Sequence, residues 1–99
     1  MDMEQLMAQA AALQDKVAVA QEKLGKTKII GISGDGACVV EMTGKYDLIK
    51  MQISPDIVSR GAHAVEKFVG DAYRDAKRKA DEIIDRVMAD ATAGMPMPK

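Results

Sequence analysis

Aromatic residues are scarce in this 99-residue chain: no tryptophan, two tyrosines (Tyr46 and Tyr73) and one phenylalanine, Phe68. They stand apart in sequence, so no platform for stacking a run of unpaired bases is laid out. There is one cysteine, Cys38, and one histidine, His63. An intramolecular disulfide is excluded, and so is a zinc site built from clustered Cys and His. No apolar run approaches the roughly 18 residues that span a bilayer. Asp2 and Glu4 stand where a basic-then-apolar leader would begin, so a reducing, cytoplasmic setting is expected. Charge of one sign is missing as well: 14 Lys and Arg stand against 15 Asp and Glu, a formal −1. No global field draws such a chain to nucleic acid or membrane, and any affinity of that kind rests on a local patch. The parts of an enzyme are not spelled out either. Gly34-Asp35-Gly36 is too short for a phosphate loop and has no Lys-Ser/Thr after it. No catalysis, cofactor, metal, membrane or small-molecule substrate is expected.

What the chain does have is helical periodicity. Met3, Leu6, Ala10, Leu13, Val17, Ala20 and Leu24 follow one another in steps of three and four, a heptad seam that Gly25 is expected to stop. Polar residues, Lys16 and Lys23 among them, take the other faces. A second long helix is expected from about Ala62 to Ala91, its apolar arc holding Val65, Val69, Ala72, Ala76, Ala80, Ile83 and Val87. Residues 1–91 read as a single domain and 92–99, "TAGMPMPK", as a flexible tail.

Between the helices lies β character. "KIIGIS" is a first strand, and Gly44-Lys45 suits a two-residue hairpin loop. That loop pairs Val40 with Ile49 and Cys38 with Met51. One face then carries Cys38, Val40, Met42, Ile49, Met51 and Ile53 as core, and the other is mixed. Ser54-Pro55-Asp56 signals a short helix with Ser54 as its cap, and Gly61 interrupts before the long one. The expected fold is α+β: an N-terminal helix, a three-stranded antiparallel sheet and a long C-terminal helix.

Length sets the assembly. Thirty helical residues make about 45 Å, whereas a compact domain of this size is only some 34 Å across. The last helix must project along the first or lie against another subunit. A three-stranded sheet also leaves two open edges. A homodimer joined through its sheets, with helical arms outside, meets both demands.

The spacing from Gly34 and Gly36 through Cys38-Val40-Met42 and Gly44 to Ile53-Ser54-Pro55 resembles the YbaB/EbfC family of small bacterial nucleoid-associated proteins. "VGDAYRDAKRKADEI" looks like that family's last helix, and "GMPMP" resembles its tail. The resemblance implies a tweezer-like homodimer that binds double-stranded DNA with low sequence specificity in the cytoplasmic nucleoid.

Basic residues concentrate at Arg74, Lys77, Arg78 and Lys79. The first three share the side away from the apolar arc, and Lys79 lies on its other edge. With Arg86, Lys16 and Lys23 they are the candidate phosphate contacts, suited to affinity without base reading. The bland reading stands beside this one. From Asp71 to Arg86 five bases meet five acids, and pairs such as Asp75 with Arg78 or Lys79, Lys77 with Asp81 and Glu82 with Arg86 are those of any solvated helix. The rival function is a protein-interaction module that uses the helical seam and binds no DNA. His63 reads as a polar helix-start residue and Cys38 as a packed, inert thiol.

Overall fold

Asp2 starts the first helix: its side chain accepts the Gln5 amide at 2.8 Å, answering one of the donors a helix start leaves orphaned. The computed structural model describes residues 2–93. Helix α1 (Met3–Lys26) overruns the stop expected at Gly25 and closes on Thr27, whose hydroxyl donates to the Lys23 carbonyl at 2.7 Å. The overrun is stable because the Leu24 carbonyl finds donors outside the helix, the Thr27 amide at 3.1 Å and the Gly44 amide at 2.9 Å.

Three antiparallel strands follow in the order β1 (Lys28–Ser33), β2 (Cys38–Thr43) and β3 (Leu48–Ile53). The turn before β2 uses Gly34, Asp35 and Gly36 in left-handed conformations, φ 60, 56 and 94°, which explains the glycines.

The hairpin between β2 and β3 departs from the expected register. Its loop holds three residues, not two: Thr43 exchanges bonds with Tyr46 (3.0 Å) and Asp47 (2.9 Å), and Tyr46 takes φ 67°. This is a type I turn closed by a left-handed residue, the next commonest hairpin after the two-residue form. A bulge then lies between the Met42–Leu48 and Glu41–Lys50 pairs. Val40 therefore faces Met51 and Cys38 faces Ile53, two residues from the expected partners. A slip of two preserves the face, so the alternation along β2 survives.

Helix α2 (Pro55–Ser59) begins with Pro55 in its first turn, but the Ser54 hydroxyl caps nothing. The Ser54 carbonyl instead accepts from the Ile57 and Val58 amides at 3.1 and 3.2 Å. After Gly61, at φ 101°, helix α3 (Ala62–Ala91) runs for 30 residues. The outer part of the expected tail, residues 94–99, lies outside the described residues.

The core is the layer between α3 and the first two strands. Ile29, Cys38, Val40, Met42 and Ile57 are buried with Ala72, Ala76 and Ala80, and Val65, Phe68, Val69 and Ile83 pack around them. Each large side chain so buried contributes about 1.5–3 kcal/mol. The alanine row lets the helix come close, and Gly31 lets it come closer. A Cβ on Gly31 would sit 2.1 Å from the Ala72 carbonyl oxygen.

Most of strand β3 falls outside this layer, which corrects the expectation that its inward face is core: of Ile49, Met51 and Ile53, Ile53 packs against the buried cluster and the other two do not. Leu48, Ile49 and Met51 are 59, 46 and 41% exposed. The reason is that α3 covers β1 and β2 and stops short of β3. Met51 is not core filler, although Met42 is.

Beyond the sheet α3 runs antiparallel to α1. Ala20 and Leu24 are buried and Leu13 and Val17 half-buried, whereas Met3, Leu6 and Met7 stand exposed. The inner half of the heptad seam is thus occupied and the outer half bare among the described residues. The outline measures 67 × 23 × 17 Å and the radius of gyration is 19.0 Å, against about 13 Å for a compact chain of this length. The two helices form a projecting arm.

Candidate nucleic-acid interface

Four of the seven candidate cations lie within six consecutive positions of α3, 74–79, and each already holds a carboxylate. Arg74 reaches Asp71 at 2.8 Å and Lys77 reaches Asp81 at 3.3 Å. Arg78 spans Asp75 at 3.0 Å and Glu82 at 3.1 Å. Lys79 meets Asp75 at 2.9 Å and also donates to the Ile30 carbonyl at 2.9 Å. These are spacings of three and four along one helix, the pattern of a solvated face. Glu82 pairs with Arg78, one turn before it, and not with the expected Arg86, one turn after it.

Among the described residues, Arg86, Lys16 and Lys23 have no carboxylate within 4.0 Å. Lys16 and Lys23 border an open groove of about 460 Å³ between the two helices of the arm, with Val19, Val87, Asp90 and Ala91. Arg74, Lys77 and Arg78 border a smaller one on α3 of about 350 Å³, together with Asp81, Glu82 and Asp85. The structure therefore brings the candidates together in two groups along the arm. Lys79 and Arg86 border neither groove, and Lys79 is turned onto β1.

Pairing does not disqualify the first group. Arg74, Lys77 and Arg78 keep half or more of their side-chain surface in water, and exposed ion pairs contribute only about 0–1 kcal/mol. A duplex phosphate can displace a carboxylate at that cost.

Two residues that matter were not singled out from the sequence. Tyr46, at the hairpin tip, donates its hydroxyl to Asp81, and Lys77 lies 6.0 Å from the centre of its ring. This contact raises the Tyr46 pKa and lowers that of Asp81, each chiefly through the shared hydrogen bond. The hairpin is thereby tied to the helix that carries the basic row. The second residue is Asp75, legible in the sequence only as a partner of Arg78 or Lys79, both of which it meets; it also accepts the Ile32 amide at 3.0 Å. No local signal in the sequence joins positions 32 and 75.

Those bonds stabilise the ionised Asp75, the Ile32 amide most and Lys79 next, and take its pKa from 3.8 to about 2. A depressed carboxylate pKa adds stability that is complete above the unfolded value and disappears as pH falls through the folded one. Asp75→Asn is therefore expected to flatten the loss of stability between about pH 4 and pH 2. Thermal melts across that range test this, and parallel curves for the two proteins would refute it.

The model of the YbaB/EbfC DNA-binding family matches residues 1–95. Among solved structures, the crystal structure of the uncharacterized protein HP0035 from Helicobacter pylori shares the fold. Its TM-score is 0.82 at 21% sequence identity, and the match covers 91% of this chain and 96% of that one.

Proposed function

Since the chain belongs to the YbaB/EbfC DNA-binding family, we propose that it binds double-stranded DNA as a homodimer, with little regard for sequence, in the bacterial nucleoid. The observation that carries this reading is the arm: a projecting pair of helices with exposed cations in exchangeable pairs along it. The contact set is Arg74, Lys77 and Arg78, with Arg86, Lys16 and Lys23 completing the charge. Side chains of this kind hold phosphates and read no base edges. Lys79, engaged with β1, is left out of the set.

The dimer is supported by the uncovered strand. Leu48, Ile49 and Met51 leave apolar surface exposed on this edge strand, and a second copy related by a two-fold axis would cover it while its own is covered. The two arms then project from one body. Catalysis, a cofactor and a small-molecule substrate have no part in this reading, and its setting is the cytoplasm.

Titration of two unrelated duplexes at several salt concentrations tests the proposal. Affinity is expected to be the same for both and to fall with a log–log slope of about −0.9 per phosphate contacted. With Arg74→Ala, Lys77→Ala and Arg78→Ala combined, the slope is expected to flatten by as much as about 2.7 for each arm engaged. A charge-matched control, Lys28→Ala with Lys45→Ala and Lys67→Ala, separates local contact from net charge. Equal slopes for the two triple variants would remove the α3 row from the site.

One observation favours a second reading. The bare outer seam of α1, with Met3, Leu6 and Met7 exposed, suits docking of another protein's helix. Binding of that kind survives high salt, so the same titration separates the two.

A further inference from the structure

Along an antiparallel edge strand, backbone groups of alternate residues point away from the sheet and invite a new strand. At the β1 edge two such groups, the Ile30 carbonyl and the Ile32 amide, are already taken. Lys79 Nζ donates to the Ile30 carbonyl at 2.9 Å, and Asp75 Oδ2 accepts the Ile32 amide at 3.0 Å. A donor and an acceptor thus stand where an incoming strand would present its own amide and carbonyl. Both come from one face of α3, four residues apart, and pair with each other at 2.9 Å. Arg78 braces Asp75 from a third side at 3.0 Å.

The strand is docked along its length. Gly31, between the two bonded residues, has no room for a Cβ against Ala72 and Ala76. The Ser33 hydroxyl donates to the Phe68 carbonyl at 2.6 Å. Among the described residues no helix treats β3 in this way: it is the other edge of the sheet, and five of its six residues are exposed.

We infer that Asp75 and Lys79 form a lock on the β1 edge, which leaves β3 as the one edge where a second copy of this chain can extend the sheet. The consequence for assembly is closure. Two copies joined at β3 about a two-fold axis place a β1 strand at each outer end, and a locked β1 at both ends stops growth at two. With both edges open, the same subunit would add copies alternately at β3 and β1 and grow into an open ladder. This inference rests on the dimer proposed above for what the open edge does, and on the α3–β1 bonds alone for which edge is closed.

The test is the full chain carrying Asp75→Ala with Lys79→Met, followed by sedimentation velocity over a range of concentrations and by amide exchange at Ile32. Wild type is expected to sediment as one closed species. The double variant is expected to form species larger than that, growing with concentration, while its Ile32 amide exchanges faster by about tenfold or more. Adding Ile32→Pro removes the outward amide, a change an edge strand tolerates, and is expected to return the variant to the wild-type size. If loss of the pair unfolds the chain, Lys79→Met alone bares the Ile30 carbonyl and is read in the same way. A folded variant that keeps the wild-type size overturns the lock. A monomeric wild type refutes the dimer instead; the lock then stands or falls on whether the variant self-associates.

Discussion

Replacing Gly31 by alanine is expected to destabilise the protein by about 3 kcal/mol, the upper end of what overpacking ordinarily costs. The added Cβ would lie 2.1 Å from the Ala72 carbonyl oxygen, 2.5 Å from the Ala76 amide nitrogen and 2.6 Å from the Ala76 Cβ. Two of the three are backbone atoms of a long helix, so no side chain can swing aside. Either α3 lifts from β1, or the strand bends and loosens the Ile30 and Ile32 contacts beside it. At about 4–8 °C per kcal/mol, the melting temperature is expected to fall by roughly 12–24 °C. Gly70→Ala supplies the contrast. Its Cβ meets only the flexible guanidinium of Arg74, at 3.3 Å or more, and alanine is better than glycine inside a helix by about 0.8–1 kcal/mol. The same chemical change is thus expected to lower the melting temperature at one site and raise it at the other. A Gly31→Ala protein that melts with wild type would show that the helix is not seated on the strand as described.

Gly31 also marks how far the sequence could be read. Its strand was legible from the alternation in "KIIGIS", and the alanine arc of α3 from its spacing, but neither showed that glycine and alanine meet in one close contact. The element order was legible because each piece carries a local signal: the heptad seam of α1, the glycine turn at 34–36, Pro55 at a helix start. Registers were less so. A two-residue loop at Gly44-Lys45 was the commoner choice, and the chain takes a three-residue loop because Tyr46 turns left-handed with its hydroxyl on Asp81, a partner 35 positions away. The limits of burial were hidden for a similar reason. Leu48, Ile49 and Met51 have the composition of core, and only the placement of α3 over the other two strands leaves them bare. Of the candidate contacts, the α3 row was legible as charge. That Lys79 serves a strand edge was not, because its partner is a backbone carbonyl 49 positions away.

Leu48→Gln combined with Met51→Gln is expected to convert the protein to monomer at micromolar concentration and to weaken its hold on long duplex DNA by a hundredfold or more. Both side chains are exposed in the single subunit, 59 and 41%, so the fold of one chain loses little; exposed substitutions usually change stability within about 0.5 kcal/mol. In a dimer that covers β3, each is buried once in either subunit. Burying a large apolar side chain is worth about 1.5–3 kcal/mol. Even a loss of about 4 kcal/mol from the whole set raises the dissociation constant roughly a thousandfold. Glutamine adds no charge, so the electrostatics of each arm are untouched, and any fall in DNA affinity comes from parting the two arms. Linked sites gain about 10²–10⁴ from effective concentration, and separated ones forfeit it. The salt slope is expected to halve at the same time, because a lone arm contacts half the phosphates. Sedimentation and titration of the variant on a long duplex measure the two effects together. A variant that sediments as wild type would place the subunit interface elsewhere than β3. One that is monomeric yet binds with unchanged affinity and slope would show that a single arm suffices for the DNA contact.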